Sequence, residues 1–287
     1  MSPALFTTQI GGREVPITFS STQVRGEDAT RSSERGQRSI QEVVDSSLFQ
    51  RWVKNLDPDF VIQSVEIKGI VEFPHRIGLI FLETTAIDEH GRSIPGGMTL
   101  RDNTVSVLIQ LVCEGKRYAV LVRQARLPIG KHFIEIPAGI IDGGYLGGDA
   151  LRELQEEVPR LRGLFSMSLV DDLSPHPICL SPGGCNEEMD FFFLSINVNH
   201  QTMREINGSC GGLKDEREFT TAVVVPWEDL HKIPDGKLRI ALSYLQDLEL
   251  KALREELKEV QAQLASAIER IEDLRGRNNA LENLVAL

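Results

Sequence analysis

The sequence has few cysteines, no excess of positive charge and no long apolar run. Its four cysteines, Cys113, Cys179, Cys185 and Cys210, show no CxxC spacing, so we expect reduced thiols in an intracellular protein rather than a disulfide framework or a metal site. The formal net charge is −11, from 31 basic and 42 acidic residues. This balance argues against broad electrostatic binding to nucleic acid or to anionic lipid.

Signals for membrane insertion or secretion are also missing. No apolar run approaches the ~20 residues that a membrane-spanning helix needs. The N-terminus has no basic start followed by an apolar core, so the sequence does not predict a secretory signal. Residues 26–39 mix acids, bases and hydroxyls, which is only a weak indication of an organellar presequence. We expect a cytoplasmic protein and leave an organelle open.

What is present is the composition of a globular protein with a sizeable core, 41% hydrophobic over 287 residues. Strand-like runs lie on either side of a mid-chain helix, which is typical of a mixed α/β sandwich. A first helix is predicted over residues 39–56, capped by Ser39 with Glu42, and a hairpin joins TVSVLIQLVC to YAVLVRQARL through EGKR. The sequence divides into four parts: 1–40, a flexible lead-in with one short strand at EVPITF; 41–100, a helix and strands; 101–248, the main domain; and 249–287, a coiled coil.

The C-terminal segment carries an apolar heptad repeat. One seam position holds Leu250, Leu257, Leu264, Ile271, Asn278 and Val285, and the other holds Leu253, Val260, Ala267, Leu274 and Leu281. Two filled seams over five heptads predict a left-handed coiled coil, and the asparagine in one seam favours a parallel dimer. The alternative is a lone amphipathic helix that lies on the globular domain.

The segment from Ile136 to Val158, IPAGIIDGGYLGGDALRELQEEV, joins a glycine-rich loop to an acidic helix. Glu153, Glu156 and Glu157 are spaced i, i+3 and i+4, which places them on one helix face. Clustered carboxylates repel one another unless a cation compensates them, and hard oxygen ligands suit Mg²⁺ or Mn²⁺. Alone, however, this spacing is more typical of a solvated acidic face than of a metal site.

Two glycine loops that flank the acidic helix favour the metal site. Pro137-Ala138-Gly139 directly follows the predicted strand HFIEIP, and a glycine there lets backbone groups approach a ligand. The second loop, SPGGCNEE from Ser181 to Glu188, ends in two acids just before the strand MDFFFLSINV.

Together these features resemble the signature of the Nudix hydrolases, in which a glycine loop, an Arg-Glu pair and a Glu-Glu pair hold metals on a diphosphate. The stretches SSLFQRWVKNL, YAVLVRQARLPIGKHFIEIPAGIID and SPGGCNEEMDFFFL resemble the ADP-sugar diphosphatase branch, best known from plants, over about residues 41–248. The resemblance implies an α/β fold: a Nudix α/β/α sandwich with a mixed β-sheet, an N-terminal β-rich extension and a C-terminal coiled-coil helix.

The resemblance implies a site for Mg²⁺, with Mn²⁺ as a substitute. Glu153 and Glu157 match the principal metal ligands of the family, and Glu156 matches a further ligand or supporting catalytic acid. The carbonyl of Ala138, just before the glycine of the motif, matches a group that commonly completes the metal shell.

The resemblance also implies a nucleotide-sugar substrate that is cleaved to AMP and a sugar phosphate. Arg126 matches an arginine that contacts the diphosphate, although a surface residue at a strand end is an equally good interpretation. Arg152 is expected to brace the carboxylates or to contact phosphate. The glycines expected at the substrate are Gly139, Gly183 and Gly184.

A carboxylate after the second glycine loop is expected to act as general base or metal ligand, as in relatives that cleave ADP-ribose. Glu187 matches this residue by spacing, and Glu188 is the fallback. A positioned base typically contributes ~10²–10⁴-fold to a reaction rate.

The chain departs from the family pattern at three points. The interval from Gly139 to Arg152 is one residue shorter than in the general motif. Tyr145 stands where an early glutamate is expected. Pro159 replaces a late glycine and should end the helix, because proline lacks the backbone N–H.

These departures keep two alternatives open. One is a Nudix hydrolase of another diphosphate, such as a dinucleotide or an RNA 5′ end. The other is a catalytically weak Nudix module that binds a nucleotide or a protein. In each case we expect a homodimer through the coiled coil, and through the N-terminal strands as some members of this branch do.

Overall fold

The computed structural model describes residues 6–20, 39–73, 76–141, 154–164, 170–212 and 219–285. Within these ranges the strands form a smaller and a larger β-sheet, followed by one long C-terminal helix. This mixed α/β arrangement confirms the fold class expected from the sequence. All four cysteines lie in the described ranges and are free thiols.

The smaller sheet is built from the N-terminal part of the described chain. Its strands are β1 (Phe6–Ile10), β2 (Arg13–Phe19), β3 (Val61–Phe73), β4 (Arg76–Ile87), β5 (Ser93–Ile94) and β6 (Gly97–Arg101). Their order is β1-β2-β3-β4-β5, and β6 also pairs with β4. The hairpin β1–β2 lies in the segment for which only one short strand was expected, while residues 21–38 are outside the described ranges.

Two short helices cover this sheet and share its apolar core. They are α1 (Ile40–Val44) and α2 (Ser47–Lys54). The predicted cap is confirmed, since the Ser39 hydroxyl accepts the Glu42 N–H and the Glu42 carboxylate accepts the Ser39 N–H. The single helix predicted over 39–56 is wrong, because Ser46 interrupts it. The Ser46 hydroxyl donates to the Val43 carbonyl and accepts the Phe49 N–H, so it ends one helix and caps the next.

The larger sheet is mixed and occupies the rest of the described chain. Its strands are β7 (Thr104–Cys113), β8 (Lys116–Arg126), β9 (Lys131–Glu135), β10 (Ala138–Ile140), β11 (Val170–Asp172), β12 (Ile178–Cys179), β13 (Glu188–Asn197), β14 (Cys210–Gly211) and β15 (Thr220–Pro226). The order is β11-β13-β7-β8-β15-β14, with β10 paired to β7, β12 to β13 and β9 to β8. The β13–β7 pair is parallel, and β7–β8 is antiparallel.

The hairpin β7–β8 is confirmed and positions the rest of the sheet. Its two-residue turn has φ values of 50° at Glu114 and 75° at Gly115, the combination that a type I′ turn needs. The direct pairing of the two strands ends at Ile109 and Val120. Beyond that point β9 pairs with β8 and β10 pairs with β7. The segment 131–140, which carries Pro137-Ala138-Gly139, is thereby inserted between the two strands of the hairpin.

Helices pack on both faces of the larger sheet. They are α3 (the helical residues 154–157), α4 (His200–Ile206) and α5 (Gly236–Val285). Leu154 and Val158 are buried on one face in a cluster with Phe192. Leu238 and Ala241 of α5 are buried in a separate cluster on the other face. Each fully buried aliphatic side chain of this kind contributes about 1.5–3 kcal/mol, so both faces of the sheet are closed by apolar burial.

The C-terminal helix α5 is continuous with the body of the protein and then projects from it. Its 50 residues correspond to a rod of about 75 Å. Side chains from 246 to 276 are exposed. This part of the helix therefore does not pack on the globular part, as the alternative of a lone amphipathic helix would require. The exposed apolar residues, between 47% and 63% exposed, are Leu248, Leu250, Leu253, Leu257, Val260, Leu264, Ile268, Ile271 and Leu274.

The coiled coil itself stays a prediction, and the side chain of Asn278 lies outside the described part of the chain. None of the helices that the structure describes combines the length and the apolar character that crossing a membrane requires.

Candidate active site

The turn Pro137-Ala138-Gly139 is held along strand β7. β10 pairs with β7, with Ala138 opposite Ser106 and Gly139 opposite Val105. The Pro137 carbonyl accepts the Ser106 hydroxyl at 2.9 Å and the Val107 N–H at 3.1 Å. Because the surrounding strand groups are already paired, the backbone of this turn has a defined position before any ligand arrives.

Glu157 brings the acidic helix to this turn. Its side chain is only 1% exposed, and its Oε2 accepts the Ala138 N–H at 3.1 Å. Glu156 is half-buried. An ionised carboxylate at such depth costs several kcal/mol unless neighbouring groups compensate it. Glu157 therefore faces the protein interior, which excludes for this residue the solvated acidic face considered in the sequence analysis.

The end of the acidic helix is fixed by its own backbone carbonyls. The Thr220 hydroxyl donates to the Glu157 carbonyl at 3.0 Å, and the Gly212 N–H donates to the Glu156 carbonyl at 2.8 Å. A Cβ added at Gly211 would lie 2.1 Å from the Glu157 carbonyl oxygen, so only a glycine allows this close approach. Pro159 begins a 3₁₀-helix, Pro159–Leu161, directly after the helix, as its missing N–H predicts.

Part of the predicted metal site lies outside the described residues. Arg152 and Glu153 fall there, as does Tyr145. Among the described residues no group of three or more His, Cys, Asp or Glu side chains converges on one point. The described candidates are the carboxylates of Glu156 and Glu157 and the carbonyl of Ala138. These are hard oxygen donors of the kind that Mg²⁺ prefers, so the donor set fits the ion.

The second glycine loop is tied to the smaller sheet. Its Gly184 carbonyl accepts the Thr99 N–H at 2.8 Å, and the Asn186 side-chain oxygen accepts the Arg101 N–H at 2.9 Å. A Cβ added at Gly183 or Gly184 would meet no described atom within 4 Å. Packing within the described chain therefore does not explain these glycines, and their approach to substrate stays a prediction.

The two acids at the end of this loop have different surroundings. Glu187 accepts the Thr104 hydroxyl at 2.8 Å and lies 3.4 Å from the Arg101 guanidinium. Glu188 begins β13 and accepts the side-chain amide of Asn103 at 3.2 Å. Because side chains alternate along a strand, Glu188 lies on the sheet face of Phe192, where α3 also packs. Geometry thus favours the fallback, Glu188, over Glu187 as the carboxylate nearer the acidic helix.

Asp190 is a carboxylate that the sequence analysis missed. It shares the face of Glu188, and the strand register places it in one row with Val105 and Gly139. Burial raises the pKa of Asp190, and the charges of Asp172 and Glu188 raise it further. The signal was present in MDFFFL, where strand alternation puts the aspartate on the face of the acidic helix.

Arg126 is held by Glu135, which is paired in turn with Lys237, and the sequence analysis missed both of these residues. Its Nε donates to Oε1 of Glu135 at 2.6 Å, and Nζ of Lys237 donates to Oε2 of Glu135 at 2.7 Å. Glu135 is 4% exposed. Burial acts to raise the pKa of Glu135, but the charges of Lys237 and Arg126 outweigh it and the pKa is lowered. Glu135 is therefore an ionised carboxylate inside the protein, balanced from both sides.

No protein-family model matches the chain. The chain is 35% identical over 219 residues to Nudix hydrolase 14, chloroplastic, of Arabidopsis thaliana, which covers 71% of each protein. It is 45% identical over 60 residues, 21% of this chain and 27% of the relative, to putative nudix hydrolase 2 of Caenorhabditis elegans. A crystal structure of an ADP compounds hydrolase matches with a TM-score of 0.48 at 17% identity, covering 68% of this chain and 96% of that chain.

Replacing Gly211 tests whether the close approach at the end of the acidic helix is required. We expect Gly211→Ala to lower the free energy of unfolding by about 2 kcal/mol or more, because the new methyl group must displace the Glu157 carbonyl. The amide of Val158, which donates to Leu154, should exchange with solvent faster. Denaturant titration and hydrogen exchange measure the two effects.

The matched control is Gly236→Ala, where an added Cβ meets no described atom within 4 Å. If Gly211→Ala were as stable as this control and left the Val158 amide protected, the described packing at Gly211 would be incorrect.

Proposed function

This chain belongs to the Nudix hydrolases, enzymes that hydrolyse nucleoside diphosphate derivatives, and from that membership we propose that it cleaves nucleoside diphosphate sugars. The substrates are ADP-glucose or ADP-ribose, and the products are AMP and a sugar phosphate. The bond that breaks is the phosphorus–oxygen bond of the diphosphate bridge, with water as the nucleophile.

The observation that carries this proposal is the hydrogen bond from the Ala138 N–H to the buried Glu157 carboxylate. It joins the two halves of the motif, the glycine turn and the acidic helix, across 19 residues of chain. Neither half alone is specific, because a glycine turn and a solvated acidic helix are both common. Their contact, with one acid buried, supports a site built to hold a cation beside a substrate.

We assign Mg²⁺ as the cofactor, with Mn²⁺ as a substitute. The residues that would hold it are Glu156 and Glu157, the carbonyl of Ala138 and, outside the described residues, Glu153. Bound there, the ion would offset the charge of the diphosphate and lower the pKa of a bound water.

The remaining residues bind the substrate and handle the proton. Arg126 and Arg152 contact phosphate oxygens, for which the planar guanidinium is well shaped. The backbones of Gly139, Gly183 and Gly184 let the substrate approach closely. Glu188 takes the proton from the attacking water.

Glu187 is the second candidate for this base, and Glu156 can support either one. The Arg101 guanidinium beside Glu187 holds this side chain toward the smaller sheet.

The alternatives differ from this proposal in substrate or in catalysis. A Nudix hydrolase of a dinucleotide or an RNA 5′ end would use the same acids with a different binding loop. A catalytically weak module would bind a nucleotide or a protein without turnover. The proline that motivates the second alternative leaves Glu157 at the glycine turn, so the described geometry supports catalysis.

We further propose that the protein is a homodimer through the exposed seam of α5, with the N-terminal strands as a second contact. A seam that repeats every seven residues is complementary to a copy of itself. An organelle should be tested as the location of this protein alongside the cytoplasm, because the Arabidopsis relative is named chloroplastic.

Substrate turnover tests the proposed reaction. In a panel of diphosphates with Mg²⁺, we expect release of AMP from ADP-glucose or ADP-ribose. Glu157→Gln should lower kcat by about 10²-fold or more, because the metal site supplies several kcal/mol and each 1.4 kcal/mol is tenfold in rate. Glu255→Gln on the exposed part of α5 is the control and should match the parent protein. Full activity of Glu157→Gln, or nucleotide binding without any turnover, would contradict the proposal.

The base is assigned by comparing two neighbouring carboxylates. We expect Glu188→Gln to lower kcat by about 10²–10⁴-fold, the usual contribution of a general base. Glu187→Gln should have a smaller effect on kcat and should mainly loosen the loop, since it loses the Arg101 ion pair. Steady-state kinetics and melting temperature separate the two effects. A larger loss of kcat in Glu187→Gln would reverse the assignment.

Cross-linking tests the dimer. A parallel seam brings identical residues together, so Leu253→Cys should form an interchain disulfide under mild oxidation, whereas Glu255→Cys, outside the seam, should not. Both are compared with the parent chain on a non-reducing gel. Ending the chain at Asp247 should also lower the mass in light scattering. Equal cross-linking at the two positions would count against the seam.

A further inference from the structure

A cavity of about 500 Å³ opens beside the turn that joins β8 to β9. Its lining residues are Arg126, Pro128, Ile129, Lys131, Phe133, Glu135 and Pro234. The size is within the range of small-molecule sites. Arg126 and Lys131 are directly opposite in the strand register, and the one carboxylate of the lining, Glu135, is already paired. Like charges opposite each other are unfavourable, so this cavity favours an anion.

The side chains of Arg126 and Glu135, which line the cavity, lie on the sheet face that the acidic helix covers. The register places Thr220 of β15 opposite Gln124 of β8, so both side chains lie on one face. The Thr220 hydroxyl contacts the Glu157 carbonyl, and the Gln124 amide donates to Glu135 at 3.2 Å. Two neighbouring strand residues on this face therefore contact the acidic helix and Glu135, respectively.

The orientation of the Arg126 side chain is fixed by its ion pair with Glu135. Its side chain is 39% exposed, while the carboxylate that accepts its Nε–H is almost fully buried. An arginine carries about 2 kcal/mol of rotamer entropy, and a fixed partner removes much of that freedom before a ligand binds. Pre-orientation of this kind raises affinity because less order has to be imposed on binding.

Lys237 keeps that partner charged and comes from the first turn of α5. Its ammonium donates to Oε2 of Glu135, whereas Arg126 donates to Oε1. Asp235, next to it, accepts the backbone N–H of Ile136 at 3.0 Å and that of Lys237 at 3.0 Å. The start of α5 is thus bonded to the end of β9, which leads into Pro137-Ala138-Gly139.

We propose that Glu135 and Lys237 are positioning residues that hold Arg126 toward the anionic part of the substrate, so that the start of the C-terminal helix sets substrate affinity. This inference rests on the proposed function in assigning the anion as a nucleoside diphosphate sugar. Neither residue touches the reacting atoms, so their effect falls on KM and not on kcat.

The test is a set of charge-matched variants. Glu135→Gln leaves Lys237, whose side chain is 14% exposed, without this carboxylate, and Lys237→Met leaves Glu135 with its ion pair to Arg126, so both single variants should melt at lower temperature. The double variant removes both charges of the pair and should recover most of the melting temperature. Its KM for the ADP-sugar should stay about tenfold higher than that of the parent, with kcat within about threefold. A merely structural role predicts that KM recovers together with the melting temperature.

A double-mutant cycle with Arg126 makes the comparison specific. Arg126→Ala should raise KM at least tenfold, and adding the Glu135→Gln/Lys237→Met pair to it should raise KM no further, because the three residues act through one contact. Lys232→Met, an exposed lysine near the start of α5, is the control and should leave KM unchanged. Additive effects on KM, or a parent-like KM in the double variant, would overturn the inference.

Binding of ADP separates this inference from the proposed reaction. If the parent hydrolyses ADP-sugars and the variants keep its KM, the inference fails and the function stands. If the parent hydrolyses no diphosphate, the function fails, and the inference is judged by calorimetric affinity for ADP in the same variants. A parent that binds no ADP, or variants that bind it with parent affinity, would overturn the inference as well.

Discussion

The described site depends on one contact, the Glu157 carboxylate buried against the Ala138 N–H. A carboxylate removed from water is costly unless neighbouring groups compensate its charge, so its position has to be well defined. The protein therefore fixes both partners from outside the contact. Apolar burial of Leu154 and Val158 holds the helix on the sheet. Strand pairing with β7 holds the turn. The approach of Gly211 holds the carbonyl end of the helix.

A second set of contacts comes from the far end of the chain. The first turn of α5 contributes Lys237 to Glu135, and Asp235 accepts the backbone N–H of Ile136. The same helix then fills the core of one sheet face with Leu238 and Ala241 and continues as an exposed apolar seam. One helix without an intervening linker thus connects the strand beside the candidate site, the core and the surface that we propose for dimerisation.

The sequence predicts the features whose cause is local. The hairpin β7–β8, the Ser39 cap and the helix end at Pro159 each follow from a few neighbouring residues. The two halves of the glycine-acid motif are also visible. The break at Ser46 was missed, because the apolar spacing continues through it and the hydroxyl that ends the helix leaves no mark in that pattern.

Features with distant causes could not be predicted. Glu135 and Lys237 are 102 residues apart, and no local pattern in either segment predicts that the two side chains meet. The preference for Glu188 over Glu187 arises from the phase of strand alternation relative to Phe192, which is known only once the strand start is known. Asp190 was missed although the alternation in MDFFFL carries its signal, because the face that the acidic helix covers depends on the topology of the sheet. A motif thus identifies which residues are candidates, while register and topology decide which of them share a face.

The central claim is that the acidic helix and the glycine turn together hold a divalent cation beside the diphosphate. Its most direct test is a crystal of the protein with Mn²⁺ and a non-hydrolysable ADP-sugar, examined by anomalous scattering. We predict an anomalous peak about 2.0–2.3 Å from a Glu157 carboxylate oxygen and from the Ala138 carbonyl oxygen, next to the diphosphate. An occupied nucleotide with the peak elsewhere, and no metal ion within bonding distance of Glu157, would contradict the claim.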